Sequence, residues 1–426
     1  MINNNIINKN NKELKEIIGI NDSNINIYKF QDEKIKDNIS KVFYGILFFN
    51  DNVCPKCNKV HNKFYVHNKK VSLIKLPMVS GFDAYLKLTK TRYKCMECNK
   101  TFIPANTLTN PGCFISNKVK YLIALKLTSM LTCTYIAQDH NVSTHTVFRV
   151  LDTYAEAAKS TTIKSYLPKV LHFDEFKSTK DADGNMSFVI MDGEKRKLLD
   201  IVENRQKAYL ENYFSYYTKE AIDNVEYIVI DMYTPYIEII KNVFTNAKII
   251  LDRFHIYQNL TRAFNKTRVA IMNADEKNRN KFKNFWKPIL QLKENLSEVM
   301  FKHATFNYKF INNKAIINYL IENNEDFKNN YEIYQDLLFS LKYNNMEMFK
   351  KTIDQPNKLA SDKIKTCIST FIKYYEYIKD SFDVEYNNGI IEGTISKFKK
   401  LKTISCGFRR FERLKTRIMI QELLIV

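Results

Sequence analysis

The chain has 426 residues, more than one ordinary core accommodates, and 45% are hydrophobic, so two to four domains with a sizeable buried interior are expected. Lys+Arg exceed Asp+Glu by 66 to 46, giving a net charge of +20 and a pI of about 9.3, which points to a polyanionic partner. No run of about 18 apolar residues occurs, so no membrane span is expected, and the first residues, MINNNIINKNNKELKE, lack the apolar core of a signal peptide.

Asn, Ile, Lys and Tyr are all abundant, and that bias alone raises the lysine count, so the distribution of charge is more informative than its sum. Residues 51–170 hold 18 Lys/Arg against 6 Asp/Glu, and residues 396–426 hold 9 against 2, whereas residues 171–275 hold 14 against 16. A general drift toward lysine would not spare one segment. Basic flanks around a carboxylate-rich centre fit a protein that holds nucleic acid and works on it with carboxylate-bound metal. Four of the eight cysteines form two C-x-x-C pairs, which fits a reducing cytosol better than secretion. No internal repeat of fixed period is found.

After an N-terminal extension (1–50), residues 51–110 carry Cys54 and Cys57 in CPKC and Cys95 and Cys98 in CMEC. Each pair places two thiolates on one tight knuckle, and two knuckles with alternating segments between them read as a zinc ribbon. Four protein ligands leave no open position, so this Zn²⁺ is structural; His61 and His67 are read as neighbours rather than ligands.

Residues 111–168 follow with helical apolar spacing in ISNKVKYLIALKLTSML and then TCTYIAQDHNVSTHTVFRVLDTYAEAA. Ala137 is small where two helices would cross, Asn141 tolerates a left-handed turn, Ser143 suits an N-cap, and Val142, Val147 and Val150 supply apolar contacts. This is helix-turn-helix spacing, with Thr144, His145, Thr146, Phe148 and Arg149 expected to face outward near the second helix's N-terminus, where base edges are read.

Residues 169–275 predict three strands, VLHFDEF, SFVIMDG and KLLDIVE. A helix follows, then a strand EYIVID, a helix opened by Pro235, and a strand AKIILD. Three antiparallel strands extended by parallel ones make a mixed sheet flanked by helices. Asp174 and Asp231 stand at or near strand ends, where an acid is costly unless something binds it; Asp252 is an equally good acid by that test. Two carboxylates on neighbouring strand ends can share Mg²⁺. A third is needed from elsewhere, and Glu392 in GIIEGTISKFKKLK is the candidate. Its helix packs Ile391, Ile395 and Phe398 inward, while Lys397, Lys399 and Lys400 are placed to neutralise phosphates. Residues 276–380 read as an all-α insertion; Trp286 in it is read as a core or helix-contact residue ahead of one that stacks on a flipped base or wedges into DNA. Residues 381–426 read as the last part of the core.

The stretches CPKC, RYKCMECNKTF, HFDEF, VIDMYTPYIEIIKNVFTNAKIILDRFHIYQNL and YNNGIIEGTISKFKKLKTISCGFRRFERLKTRI resemble bacterial insertion-sequence transposases of the DDE type, in the ISL-three group. The resemblance covers the ribbon, the helix-turn-helix and the catalytic core. It implies a multidomain α+β protein whose catalytic core is RNase H-like and mixed α/β, with Asp174, Asp231 and Glu392 as the DDE triad holding Mg²⁺ (or Mn²⁺). The DRFH block implies that His255 positions DNA; Arg409 and Arg410 join the lysines as expected DNA contacts. The implied partners are double-stranded DNA, as terminal inverted repeats and as target, and a second copy in a homodimer or higher assembly. A cytoplasmic, nucleoid-associated place follows. Two other readings share these features: a non-catalytic DNA-binding regulator descended from a transposase, and an RNase H-like structure-selective nuclease. SKFKKLK places lysine where relatives often use arginine, which changes a phosphate fork into a point charge.

Overall fold

The structure is a computed structural model that describes residues 13–61, 63–161, 164–355, 358–384, 386, 388–405 and 408–422. The first 12 residues of the expected extension and Cys406–Gly407 of the C-terminal block lie outside these. The chain divides into two compact units, Met1–Thr162 with Lys400–Val426, and Ile163–Lys399. Among the described residues no helix is long and apolar enough to cross a membrane.

In the first unit, β1 (Ile25–Ile35), β2 (Asn38–Leu47), β3 (Tyr65–Val79) and β4 (Phe82–Lys94) form a sheet in the order β1-β2-β4-β3, with the short β5 (Thr101–Phe102) paired to β4. β2 runs parallel to β4, and the other pairs are antiparallel. The strands of the expected N-terminal extension therefore belong to the same sheet as the ribbon segment. Alternation drives this: Ile25, Ile27, Phe43 and Leu47 bury one face against Ile74, Leu76, Leu86 and Leu88.

Three helices follow, α1 (Asn117–Leu127), α2 (Cys133–Asp139) and α3 (Thr144–Thr161). Ser116 caps α1 and Thr132 caps α2, each accepting from the backbone N–H three residues on. Asn141 takes φ of 46° in the turn before α3, and Ser143 Oγ accepts from Thr146 N at 3.3 Å. Ala137, Val147 and Val150 are buried between the helices. The C-terminal helix, Phe411–Gln421, was expected with the catalytic core but packs here, because Ile420 enters this apolar cluster and Arg413 grips Asp152 through two bonds of 2.9 and 2.8 Å. Arg417 on the same helix is fully buried and donates to the carbonyls of Ser129 and Leu131.

The second unit is built on a five-stranded sheet of β6 (Val170–Lys177), β7 (Met186–Asp192), β8 (Lys197–Val202), β9 (Tyr227–Ile230) and β10 (Lys248–Leu251). Its order is β10-β9-β6-β7-β8, with β6, β9 and β10 parallel and β6-β7-β8 antiparallel, the mixed α/β arrangement expected. α4 (Lys207–Phe214), α5 (Lys219–Asp223) and α6 (Thr234–Val243, with Pro235 in its first turn) connect the strands. Leu171, Phe173, Ile228, Ile230, Ile249 and Leu251 bury one sheet face in the main core, and Val170, Val229 and Ile250 form a smaller apolar cluster on the other.

α7 (Arg253–Ala274) packs on α8 (Glu325–Lys342) and α9 (Asp362–Lys373), with the rings of Phe264 and Tyr334 stacked at 4.1 Å. The insertion is not purely helical: β11 (Phe301–Lys302) pairs with β12 (Phe310–Ile311). Trp286 is 43% exposed rather than a core residue. α10 (Tyr375–Asp383) crosses the expected end of the insertion at residue 380 and packs on β10, where Ser381 Oγ accepts from Leu251 N at 2.8 Å. α11 (Gly389–Ile404) carries Glu392.

Candidate functional site

Register brings three aspartates to one level. His172 on β6 pairs with Val229 on β9, so two residues further on Asp174 stands beside Asp231. Ile230 pairs with Leu251 on β10, so Asp231 stands beside Asp252, whose backbone N–H donates to Ile230 O at 2.9 Å. Side chains alternate along a strand, so Asp174 shares a face with Val170 and His172, and Asp231 and Asp252 share it with Val229 and Ile250. The level is the carboxyl end of the parallel strands, beside β6, from which the strand order runs to β7 and β8 on one side and to β9 and β10 on the other. Open α/β sheets bind ligands at such a switch point.

α11 crosses this face. The ring of Phe398 meets Phe176 at 5.9 Å, and Ile391, Ile395 and Phe398 are buried as their spacing predicts. Asn388, fully buried just before the helix, ties three elements. Its Oδ1 accepts from His172 Nδ1 at 3.0 Å, its Nδ2 donates to Asp231 Oδ1 at 3.3 Å, and its backbone N–H donates to Asp252 Oδ1 at 3.2 Å. His172 is held close by Gly193: a Cβ there would come within 2.7 Å of the imidazole, so only glycine lets the β7–β8 turn approach. Glu392 follows Asn388 by one helical turn, near Asp252, His255 and Asp231.

The electrostatics mark a cluster of acids short of counter-charge. Burial pushes Asp174 up to about 7, and the neighbouring Asp231 and Glu175 add to the rise. Burial also raises Glu392, reinforced by Asp252. His255 sits between two of the acids, with Nδ1 2.8 Å from Asp231 Oδ1 and 3.0 Å from Asp252 Oδ2. Those bonds, to Asp231 first and Asp252 second, push its imidazole up to about 10. Asp252 is fully buried, which alone would raise it, but His255 and the Asn388 N–H hold it below the usual carboxylate range.

Among the described residues, the acidic group whose ligand atoms all lie within 4.8 Å of one another is Asp231, Asp252 and His255, not the expected Asp174, Asp231 and Glu392. The reason is local: Asp252 is the residue that caps α7, through the N–H of Phe254, so its carboxylate is fixed where the imidazole of His255 arrives one turn on. Asp174 and Asp231 instead line one cleft of about 410 Å³ together with Glu175 and His255. Oxygen donors, burial and unbalanced negative charge together fit a hard divalent cation such as Mg²⁺.

The same cleft holds residues that sequence reading passed over. Glu175 accepts from Tyr236 Oη at 2.5 Å and pairs with Arg205, whose guanidinium lies 4.9 Å from the Tyr233 ring. His255, Asn259 and Arg262, spaced at i, i+4 and i+7, present one face of α7 to the cleft, and Thr370 of α9 closes another side. The spacing of Asn259 and Arg262 from His255 was a usable signal; the Glu175–Arg205 pairing, 30 residues apart, left none.

The four cysteines form a second centre. Cys54 and Cys57 follow β2, and Cys95 and Cys98 follow β4, with Asn58 and Asn99 in left-handed conformation at matching places after each pair. All four sulfurs lie within 4.8 Å of one another. Cys54–Cys98 and Cys57–Cys95 are 3.9 and 3.8 Å apart. Sulfurs about 2.3 Å from a central zinc make a tetrahedron with edges of about 3.8 Å, so the spacing fits Zn²⁺ and is far from a disulfide. His61 Nε2 touches Cys95 Sγ at 3.3 Å from outside the four, and His67 is exposed on β3. Phe49, Phe64, Tyr93 and Phe102 pack around the knuckles.

Of the expected DNA contacts, His145, Arg149, Lys397, Lys399, Lys400, Arg409 and Arg410 are exposed and Thr144 is half-buried. Thr146 is buried, contrary to expectation: its Oγ1 is 3.1 Å from Ser143 Oγ and accepts from Arg149 Nη2 at 3.1 Å, so it completes the cap of α3 rather than facing outward. Phe148 is half-buried, with the Arg413 guanidinium 4.5 Å from its ring.

Residues 171–418, more than half of the chain, match the family model described as a transposase, of the DDE ISL3 type. Residues 51–98 match the model described as the zinc-finger of transposase IS204/IS1001/IS1096/IS1165. A curated Lactococcus lactis subsp. lactis protein named an ATP-dependent protease is 30% identical over 106 residues, which are 25% of this chain and 34% of that protein. The matched stretch thus spans about a third of that relative's length.

Proposed function

The chain belongs to the ISL3-type DDE transposase family, and from that membership we propose that it cuts the ends of an insertion sequence and joins them to target DNA. The observation that carries this reading is the levelling of Asp174, Asp231 and Asp252 on three neighbouring strands, with the Glu392 helix laid over them. In this reading the β10-β9-β6-β7-β8 sheet is an RNase H-like core, and α2 and α3 are a helix-turn-helix that reads the terminal inverted repeats through Thr144, His145 and Arg149. The ribbon with its structural zinc stiffens that DNA-binding part.

Asp174, Asp231 and Glu392 would hold Mg²⁺, with Asp252 set behind Asp231. When bound, the cation supplies activation of the attacking oxygen and stabilisation of the leaving oxygen at phosphorus. The protein's own groups orient those carboxylates. Asn388 fixes Asp231 through its amide and Asp252 through its N–H, and His172 fixes the amide of Asn388. His255 carries a proton between Asp231 and Asp252. Glu175, held by Arg205 and Tyr236, anchors the strand next to Asp174. Lys397, Lys399 and Lys400 offer positive charge for the phosphates of the strand being cut. Two element ends must be handled together, so the working form is a dimer or higher assembly.

The test is an in vitro assay with Mg²⁺ and a labelled fragment carrying the terminal repeat beside the gene. Cleavage followed by joined product is expected, with Asp174→Ala and Glu392→Ala losing both while still binding the fragment. Binding without cleavage by the wild type would identify a regulator, and cleavage of junctions without joining would identify a nuclease; either result overturns the proposal.

A further inference from the structure

Behind the catalytic cleft, α7 offers a second recess of about 480 Å³ that none of the proposed chemistry uses. Its outer wall is Phe254 and Tyr257, 48% and 38% exposed, two aromatic rings one helical turn apart on α7. Its floor is Leu292, Leu338 and Leu341, all buried. Gln291 and Asn295 bring amide groups to the rim, and Arg253 and Lys342 bring positive charge. Arg253 is steadied by Asn344, which is itself held in a left-handed conformation, and Lys342 donates to Asn295 Oδ1 at 3.3 Å. An apolar slot with aromatic faces, amide edges and adjacent cations matches the chemistry of a nucleobase with its phosphate: a π-face to stack, polar edges to satisfy and a negative charge to neutralise.

The recess is also placed for it. Phe254 and His255 are consecutive, and their ring centroids lie 6.1 Å apart. His255 faces the cleft with Asp174 and Asp231, while Phe254 and Tyr257, three residues apart, face the recess. A strand whose phosphate lies at the acids therefore has its neighbouring base within reach of the second slot. We propose that this recess receives one unstacked nucleobase of the DNA strand being cut, stacked against Phe254 and Tyr257, next to the scissile phosphate. Extruding that base opens the duplex locally and lets the backbone enter the narrow acidic cleft, at the cost of unpairing one base.

This inference rests on the transposase reading, and the experiment separates the two. The full-length protein is bound to end duplexes carrying 5-iodouracil at single positions flanking the cleaved phosphate, irradiated, and mapped by mass spectrometry. One position is expected to attach to Phe254 or Tyr257. Phe254→Ala with Tyr257→Ala is expected to slow cleavage of intact duplex on the order of ten-fold or more. End binding should change less than two-fold, and an abasic site at the cross-linked position should restore the rate. Retained end binding and rescue by the abasic duplex guard against a folding defect in the double variant. Cleavage by the wild type with no adduct on either ring, or a double variant that the abasic duplex does not rescue, overturns the recess alone. A wild type that neither binds nor cuts end DNA overturns the transposase reading and this inference with it.

Discussion

Asn388 donates its backbone N–H to Asp252 Oδ1 at 3.2 Å, although 136 residues separate the two. The bond joins the N-terminus of the Glu392 helix to Asp252 at the end of β10. With the two side-chain bonds from Asn388, it makes a single buried residue the hub on which the site's geometry depends.

Asn388→Ala removes an acceptor from the buried His172 and a donor from Asp231. An orphaned buried polar group costs about 1–3 kcal/mol. The expected result is a loss of that order in urea unfolding, with Mg²⁺-dependent cleavage falling much further than end binding. Unchanged cleavage would show that α11 finds its place without the hub.

The pH dependence of the metal-free protein follows from Asp174. Its carboxyl is raised from 3.8 to about 7, chiefly by burial, so the stability linked to its neutral form is full below 3.8 and is lost as pH rises to about 7. At ~1.4 kcal/mol per pH unit across that window, the loss has an upper bound of about 4 kcal/mol. Thermal melts without metal are expected to fall between pH 4 and 7. Asp174→Asn should flatten that dependence and be more stable than the wild type at pH 8 while being inactive, and Mg²⁺ should recover stability in the wild type only.

Zinc removal addresses the first unit. One tightly held zinc per chain is expected by elemental analysis. Co²⁺ in its place should show the absorption of a tetrahedral thiolate site, and Cys57→Ser or Cys98→Ser should abolish that signal. Chelation should loosen the knuckles and their shell of Phe49, Phe64, Tyr93 and Phe102, read as altered proteolysis within residues 48–102 and weaker end binding.

Arg417 is fully buried with its charge, and burial pushes it down to about 10. Arg417→Ala leaves the carbonyls of Ser129 and Leu131 without their donor and opens a cavity, but it also removes buried guanidinium nitrogens that have no partner, so a net loss of about 1–3 kcal/mol is expected in denaturant unfolding. Arg413→Ala removes a half-exposed pair with Asp152 and should cost about 1 kcal/mol or less.

Much of this site was legible in the sequence because its parts are local. An apolar run ending in Asp announced β9 with Asp231 and β10 with Asp252, two C-x-x-C pairs announced the cysteine cluster, and the spacing of Ile391, Ile395 and Phe398 gave the buried face of α11. The levelling of the three aspartates was not legible, since register between strands is fixed by tertiary packing. The role of Asn388 as a hub was not legible, because Asn-Asn-Gly before a helix reads as ordinary turn chemistry. Thr146 was misjudged because helical spacing alone cannot say that a capping partner turns its hydroxyl inward. The C-terminal helix was assigned to the core by chain order, whereas Ile420, Arg413 and Arg417 commit it to the helices of the first unit.

The imidazole of His255 lies where two neighbouring acids would otherwise repel each other, so the polypeptide supplies its own provisional counter-ion. The sheet can close around its acids during synthesis without waiting for a dissolved cation. In the proposed function, assembly and arming are then separate events: the sheet closes on His255, and Mg²⁺ would be needed only for the chemistry.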